Sequence, residues 1–327
     1  MVFTLPVTIL QSPKSWKLKK SPDYSKQVSL LLSVLPLVAK ERSFALHGGT
    51  AINMFHSNMP RLSVDIDLTY LPLDSRVDSL VGINAALQRI ASQIEASLPD
   101  TSVQHRQTDV KLIVSNREAS IKLEVNTIKR GCYSPPETKI LCDKAQQEFD
   151  AFCEMQLVDK AHLYGGKICA ALDRQHPRDL FDIQQMFKTQ DFDNELKKGF
   201  IFYLLSSGRP LSEMLFPNLI DQRKAFDNQF YGMSKQAFTY TDYEKIRTLL
   251  IEKIHKSLTF EDNHFLLRFE QGIPDWSLYD FSIFPAVQWK LLNIQHLKTQ
   301  NPAKHHKMVK GFEERLATLA TKPDGLK

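Results

Sequence analysis

The sequence predicts an α+β chain, with strands and helices interleaved over residues 1–145 and a helical region over residues 146–327. Three observations carry this. Strand-like runs with alternating polarity are confined to the first part. Helical spacing of apolar residues dominates after about residue 145. The third is His47-Gly48-Gly49-Thr50-Ala51-Ile52, an apolar strand end, a glycine turn and a short helix, followed by the carboxylate-bearing strand Ser63–Tyr70.

The elements follow in order. Tyr24–Glu41 carries Val28, Leu31, Leu32, Leu35 and Val38 at helical spacing, with Pro36 expected to kink or end the helix. Ser43–Leu46 is a short strand, and Thr50 is placed to cap the helix Ala51–Phe55. Pro72 ends the strand Ser63–Tyr70. Asp78–Leu98 is an amphipathic helix, with Leu80, Ile83, Leu87, Ile90, Ile94 and Leu98 on one face. Strands are expected at Ser102–Arg106, Lys111–Val114 and Ala119–Thr127. In the last, Lys122, Glu124 and Asn126 share the polar face. Pro135-Pro136 marks a loop. Helices are then expected at Asp159–Arg174, Pro177–Phe187, Asn194–Leu205, Asp242–His255 and Phe284–Lys298.

At 327 residues, 43% hydrophobic and 24% charged, the composition is that of a globular protein with room for a sizeable core. The net charge of +5 is compatible with a polyanionic partner. Cys132, Cys142, Cys153 and Cys169 have neither zinc-ligand spacing nor disulfide density, so reduced thiols are expected. Met1–Leu10 makes a poor signal peptide, and no run is long enough to span a bilayer. These features point to a cytoplasmic chain with no membrane role.

The candidate chemistry starts at Asp65 and Asp67, which alternate onto one strand face. An isolated pair of this kind is more often a solvated face than a site. Here a Gly-Gly turn lies a short helix upstream, and Glu124 sits on the polar face of a later strand. If those strands are neighbours, three carboxylates converge, an arrangement that is costly unless a cation neutralises it. Mg²⁺ suits such oxygen ligands together with substrate phosphates. Backbone N–H groups at Gly48 and Gly49 can approach phosphate oxygens. Lys167 follows Gly165-Gly166 inside a helix. Two helical glycines cost about 1 kcal/mol each, which points to a close approach by another backbone or a ligand. Lys167 and Arg174 share a helix face and are placed to hold a triphosphate, or else are solvated charges. Asp179 and Asp182 open the next helix behind Pro177. They either serve the site directly, complement the helix dipole, or, as Arg178 with Asp179, pin the helix pair.

With these residues assembled, the chain resembles the AbiEii/AbiGii-type nucleotidyltransferase toxins, including the MenT-like group. The resemblance rests on Gly48-Gly49-Thr50-Ala51-Ile52, Arg61, Ser63, Asp65-Ile66-Asp67-Leu68, Ile121–Val125, Lys167, Ala170, Arg174, Arg178-Asp179-Leu180 and Asp182, and covers the chain to about residue 190. It departs at His47 and in the approach Asn58-Met59-Pro60. It implies a DNA polymerase β-like nucleotidyltransferase domain with a mixed sheet, a helical C-terminal part, and transfer of a nucleotide from an NTP to an acceptor hydroxyl. In characterised relatives of the MenT-like group the acceptor is the 3′ end of tRNA, which stops translation, and a cognate antitoxin restrains the toxin. By the same resemblance Gly49 and Thr50 touch phosphate, Asp65 and Asp67 hold Mg²⁺, Lys167 binds triphosphate, and Asp182 or Asp179 completes the site.

The expected reaction is in-line attack on the α-phosphate with release of pyrophosphate. Glu124 helps to ligate metal, Lys167 offsets charge on the leaving group, and Lys290, Lys298, Lys304, Lys307 and Lys310 flank the cleft to hold RNA. The rival readings are a small-molecule nucleotidyltransferase and a nucleotide-binding interaction protein with an inactive site.

Overall fold

A computed structural model describes residues 24–320; the apolar opening Met1–Leu10 lies outside the described residues. The order is α1 (Tyr24–Val38), β1 (Phe44–His47), α2 (Gly48–Ala51, running into a π turn over Ile52–His56), β2 (Asp65–Tyr70), α3 (Arg76–Ser97), β3 (Ser102–Arg106), β4 (Lys111–Ser115), β5 (Ser120–Asn126), β6 (Glu137–Ile140), α4 (Asp143–Phe149), β7 (Glu154–Leu157), α5 (Lys160–Asp173), α6 (Pro177–Phe187), α7 (Asn194–Leu205), α8 (Leu211–Leu215), α9 (Arg223–Ala225, running into a π turn over Phe226–Phe230), α10 (Tyr240–Ser257), α11 (Phe260–Glu270), α12 (Pro285–Gln300) and α13 (Pro302–Ala320).

The α+β class, the mixed sheet and the helical C-terminal region are as expected. The sheet has seven strands in the order β3-β4-β5-β2-β1-β7-β6. β1 pairs with β2 antiparallel, while β2–β5 and β1–β7 are parallel. β6 and β7 add two strands that the sequence did not mark, and β7 lies past residue 145. Each is only four residues long and carries charged or amide residues, so neither offers a hydrophobic run to read.

The alternation of β2 and β5 divides the sheet cleanly. Ile66, Leu68, Ile121 and Leu123 are buried on one face, where α1 and α3 pack. Asp65, Asp67, Lys122 and Glu124 stand on the other. α1 ends at Val38, two residues past Pro36. α3 starts two residues before the expected Asp78, because Ser75 accepts the Asp78 N–H as its cap. α11 had a legible signal in its Thr259–Asp262 capping box.

α5 and α7 cross closely at their glycines. A Cβ on Gly165 would collide with the backbone of Gly199, and one on Gly166 would sit 3.0 Å from both His47 Nε2 and the Tyr203 ring. The helical glycines therefore answer to a neighbouring backbone and two side chains. α5 and α6 join at Gln175, a left-handed residue at φ 48. Such a conformation costs a non-glycine side chain free energy. It is braced from α10: the Tyr243 hydroxyl donates to the Gln175 carbonyl at 2.9 Å, and Arg247 donates to Gln175 Oε1 at 3.0 Å. The corner fixes how Arg174 and Arg178 stand relative to each other.

Candidate active site

The polar face of the sheet forms the floor of a cleft of about 510 Å³. Register builds that floor. His47 on β1, Asp67 on β2 and Glu124 on β5 lie side by side across three strands, with Lys111 on β4 next in line. One step along, Asp65 faces Lys122. The juxtaposition of Asp67 and Glu124 depends on a parallel pairing between segments some 50 residues apart.

Gly48 closes the floor at φ 72, a conformation that glycine adopts without strain. A Cβ there would also overlap the Asp67 carboxylate. The turn and the carboxylate strand are thus fitted to each other, with the first backbone N–H groups of α2 beside Asp67. Thr50 does not cap this helix. It is fully buried, its hydroxyl donates to the Asp65 carbonyl at 2.5 Å, and it also lies in hydrogen-bond contact with Ser63 Oγ at 3.0 Å. The cap position falls to His47, which supplies no side-chain bond. Thr50 therefore ties the turn to β2, and its hydroxyl is not presented to phosphate.

The opposite wall comes from α5 and α6. Lys167 Nζ lies 2.9 Å from Asp179 Oδ1 and 3.0 Å from Asp182 Oδ2. Arg174 grips Asp179 through Nε at 2.6 Å and Nη2 at 3.0 Å. Arg61 grips Asp182 through Nε at 2.7 Å and Nη2 at 2.6 Å. Asn53 adds a bond to Asp182 at 3.1 Å while also donating to the Gly49 carbonyl at 2.9 Å. Burial pushes both carboxyls up, but Lys167 with Arg174 holds Asp179, and Arg61 with Lys167 holds Asp182, below the usual carboxylate range. Asp179 pairs with Lys167 and Arg174, so the expected Arg178–Asp179 pair is replaced. Asp182 is wholly buried and faces its three partners rather than the cleft. Its carboxylate is taken up by Arg61, Lys167 and Asn53.

Lys167, Arg174, Arg178 and Asp179 all line the cleft, as do Gly48, Gly49, Asp65, Asp67 and Glu124. Arg61, Ser63, Lys122, Asn126 and Lys129 join them. The strand alternation already placed Lys122 and Asn126 beside Glu124, whereas nothing local marked Lys129.

The carboxylates differ in state. Burial first, then the neighbouring Asp65 charge, pushes Asp67 up to about 6. Glu124 is paired with Lys122 at 3.0 Å and lies 4.0 Å from Lys111. Among the described residues no group of three His, Cys, Asp or Glu side chains is placed to hold a metal ion; Glu124 does stand opposite Asp67, but Lys122 engages it. Asp65 and Asp67 still fit a hard divalent cation by the chemistry of their donors. They are adjacent oxygen ligands, one of them poorly compensated, and substrate phosphates can complete the shell. His47 stands beside them with the Tyr203 hydroxyl 3.4 Å from its Nε2. Burial, with Lys129 and Lys167 next, pulls its imidazole down to about 3, so it is neutral.

The C-terminal lysines divide. Lys304 and Lys307 line a groove of about 770 Å³ that shares Asp173 and Met214 with the cleft. Lys290 is buried and spends its ammonium on two carbonyls. Lys298 and Lys310 line a separate cavity with His305 and His306. All four cysteines are free thiols. Among the described residues no helix is long and apolar enough to cross a membrane.

Comparison with known proteins bears on the fold and the family. The fold is similar to that of MenT4, a nucleotidyltransferase toxin from Mycobacterium tuberculosis, with a TM-score of 0.58 at 13% identity over 83% of this chain and 93% of that one. No curated protein sequence matches. A profile of the nucleotidyl transferase AbiEii toxin family, of type IV toxin–antitoxin systems, matches residues 29–293. That match spans well over half of the 327 residues, and the chain belongs to the AbiEii nucleotidyltransferase toxin family.

Proposed function

We propose that this protein transfers a nucleotide from an NTP to the 3′ end of tRNA and so blocks translation, under the restraint of a cognate antitoxin, as part of abortive phage defence. The observation that carries the reading is Asp67 packed against Gly48, with Asp65 lining the same cleft and Lys167, Arg174 and Arg178 across it.

Asp65 and Asp67 would hold Mg²⁺, which when bound offsets phosphate charge and favours ionisation of the acceptor hydroxyl. Backbone N–H groups at Gly48 and Gly49 and the guanidinium groups of Arg174 and Arg178 orient the triphosphate. The acceptor oxygen attacks the α-phosphorus, the α–β phosphoanhydride bond breaks, and pyrophosphate leaves. Glu124, beside Asp67, receives the hydroxyl proton. Lys167 shifts from its carboxylate partners toward the departing pyrophosphate, and positioning with charge stabilisation supplies the rate.

Expression without restraint tests this in cells. Protein synthesis is expected to fail before RNA synthesis, and the Asp65→Ala variant is expected to grow normally. Normal growth with abundant soluble wild-type protein would overturn the toxin reading.

A further inference from the structure

The carboxylates on the polar face of the sheet already have a cation among them. Parallel pairing of β2 with β5 sets Lys122 beside Asp65 and Glu124 beside Asp67, and alternation turns all four side chains toward the same cleft. Lys122 Nζ lies 3.0 Å from Glu124 Oε2. Burial acts against the ammonium, but the bond and charge of Glu124, and then the charges of Asp65 and Asp67, hold Lys122 above the ordinary lysine range. Lys111 is 4.0 Å from Glu124 and stands closer to Asp109, at 3.2 Å. Lys122 is therefore bonded inside the carboxylate group, while Lys111 sits at its edge.

This pair is open to water. The side chains of Lys122 and Glu124 are 40% and 38% exposed, whereas those of Arg61 and Asp182 are 4% and 0% exposed and joined by two bonds. Water screens a half-open ion pair and leaves it weakly held, while breaking a buried pair strands a charge. A divalent ion carries twice the charge of an ammonium, seeks the same carboxylate oxygens, and repels the ammonium it meets there. The two cations thus compete for one set of oxygens.

We infer that Lys122 is the resident counter-ion of Asp65, Asp67 and Glu124, and that a divalent cation entering this group releases Glu124 from it. The bare site then binds a divalent ion weakly, because an occupant must be displaced. Glu124 bonded to an ammonium is a poor proton acceptor, and it gains that role only when the ammonium has left. The inference rests on the reading of Asp65 and Asp67 as metal ligands and adds what holds their site before the metal arrives.

The test titrates the full chain with Mn²⁺ alone, follows the free ion by electron paramagnetic resonance, and takes the binding lost in Asp67→Ala as the site. Lys122→Met keeps the stem and drops the charge, and is expected to tighten Mn²⁺ binding about tenfold. Lys122→Arg keeps the charge and is expected not to tighten it. Lys111→Met removes an equal charge from the edge of the group and is expected to change binding less than about twofold. Glu124→Gln is expected to weaken binding about tenfold in the Lys122→Met background but less than about threefold where Lys122 is present, a coupling that reads the displacement itself. Both lysines are partly exposed, so their variants are expected to fold. Unchanged binding in Lys122→Met, or equal tightening in Lys111→Met, reduces Lys122 to a distant charge and overturns the inference. Equal loss from Glu124→Gln in both backgrounds means that the pair stays closed, and overturns it while leaving the metal site in place. Mn²⁺ binding untouched by Asp65→Ala and Asp67→Ala in every background overturns both this inference and the metal reading beneath it.

Discussion

Replacing Asp67 with asparagine is expected to stabilise the metal-free protein while abolishing its chemistry. Burial and the adjacent Asp65 raise Asp67 from its ordinary 3.8 to about 6. At about 1.4 kcal/mol per pH unit, holding it ionised near neutrality costs the fold at most about 3 kcal/mol. Its partial solvent access reduces that to roughly 1–2 kcal/mol. The folded chain binds this proton more tightly than the unfolded chain does. The penalty is therefore absent below about pH 4, grows as pH rises through about 6, and is full above that. The asparagine side chain is free of it at every pH, so Asp67→Asn gains over wild type only on the neutral side. For a chain of this size the gain corresponds to a rise in Tm of roughly 1–3 °C. Thermal unfolding in chelator-treated buffer at about pH 4 and about pH 7.5 reads the difference directly. Added Mg²⁺ is expected to raise the Tm of wild type more than that of the variant, since binding to the folded state stabilises it by mass action. A variant no more stable than wild type near neutrality, or a gain independent of pH, would refute the assignment of Asp67 as a strained carboxylate.

Three further outcomes concern the cleft wall and the groove beside it. Arg61→Ala removes the bidentate partner of fully buried Asp182, so urea unfolding is expected to show a loss of about 3–5 kcal/mol, of which Arg61→Lys restores part. Arg174 is 60% exposed; Arg174→Ala is expected to cost less than about 1 kcal/mol of stability yet to raise the NTP KM several-fold in steady-state transfer assays. Changing Lys304 and Lys307 together to alanine is expected to weaken RNA binding and flatten its log–log salt dependence by about 1–2, with NTP binding unchanged in equilibrium titrations.

The parts of the site legible in the sequence were those whose geometry is local. Alternation alone put Asp65 with Asp67, and Lys122 with Glu124 and Asn126. Helical spacing put Lys167 and Arg174 on one face, where both now meet Asp179. What stayed hidden was long-range. The Arg61–Asp182 pair joins residues 121 positions apart, and only the parallel pairing of β2 with β5 sets Glu124 beside Asp67. Thr50 misled because a hydroxyl after a glycine turn reads as a helix cap. The helix instead begins three residues earlier, at Gly48, and buries that hydroxyl against β2. The lysines of the last two helices read as one basic tail. Their separation into buried, groove-lining and remote positions depends on how α12 and α13 pack.

The most direct measurement of the proposed chemistry is incubation of purified protein with each α-³²P-labelled NTP, Mg²⁺ and total RNA, following label and pyrophosphate together. The expected result is label joined to the tRNA-sized fraction, one pyrophosphate released for each nucleotide added, and loss of both in Asp65→Ala and Asp67→Ala proteins with intact folds. Label confined to small molecules, or transfer that survives either substitution at saturating Mg²⁺, would contradict it.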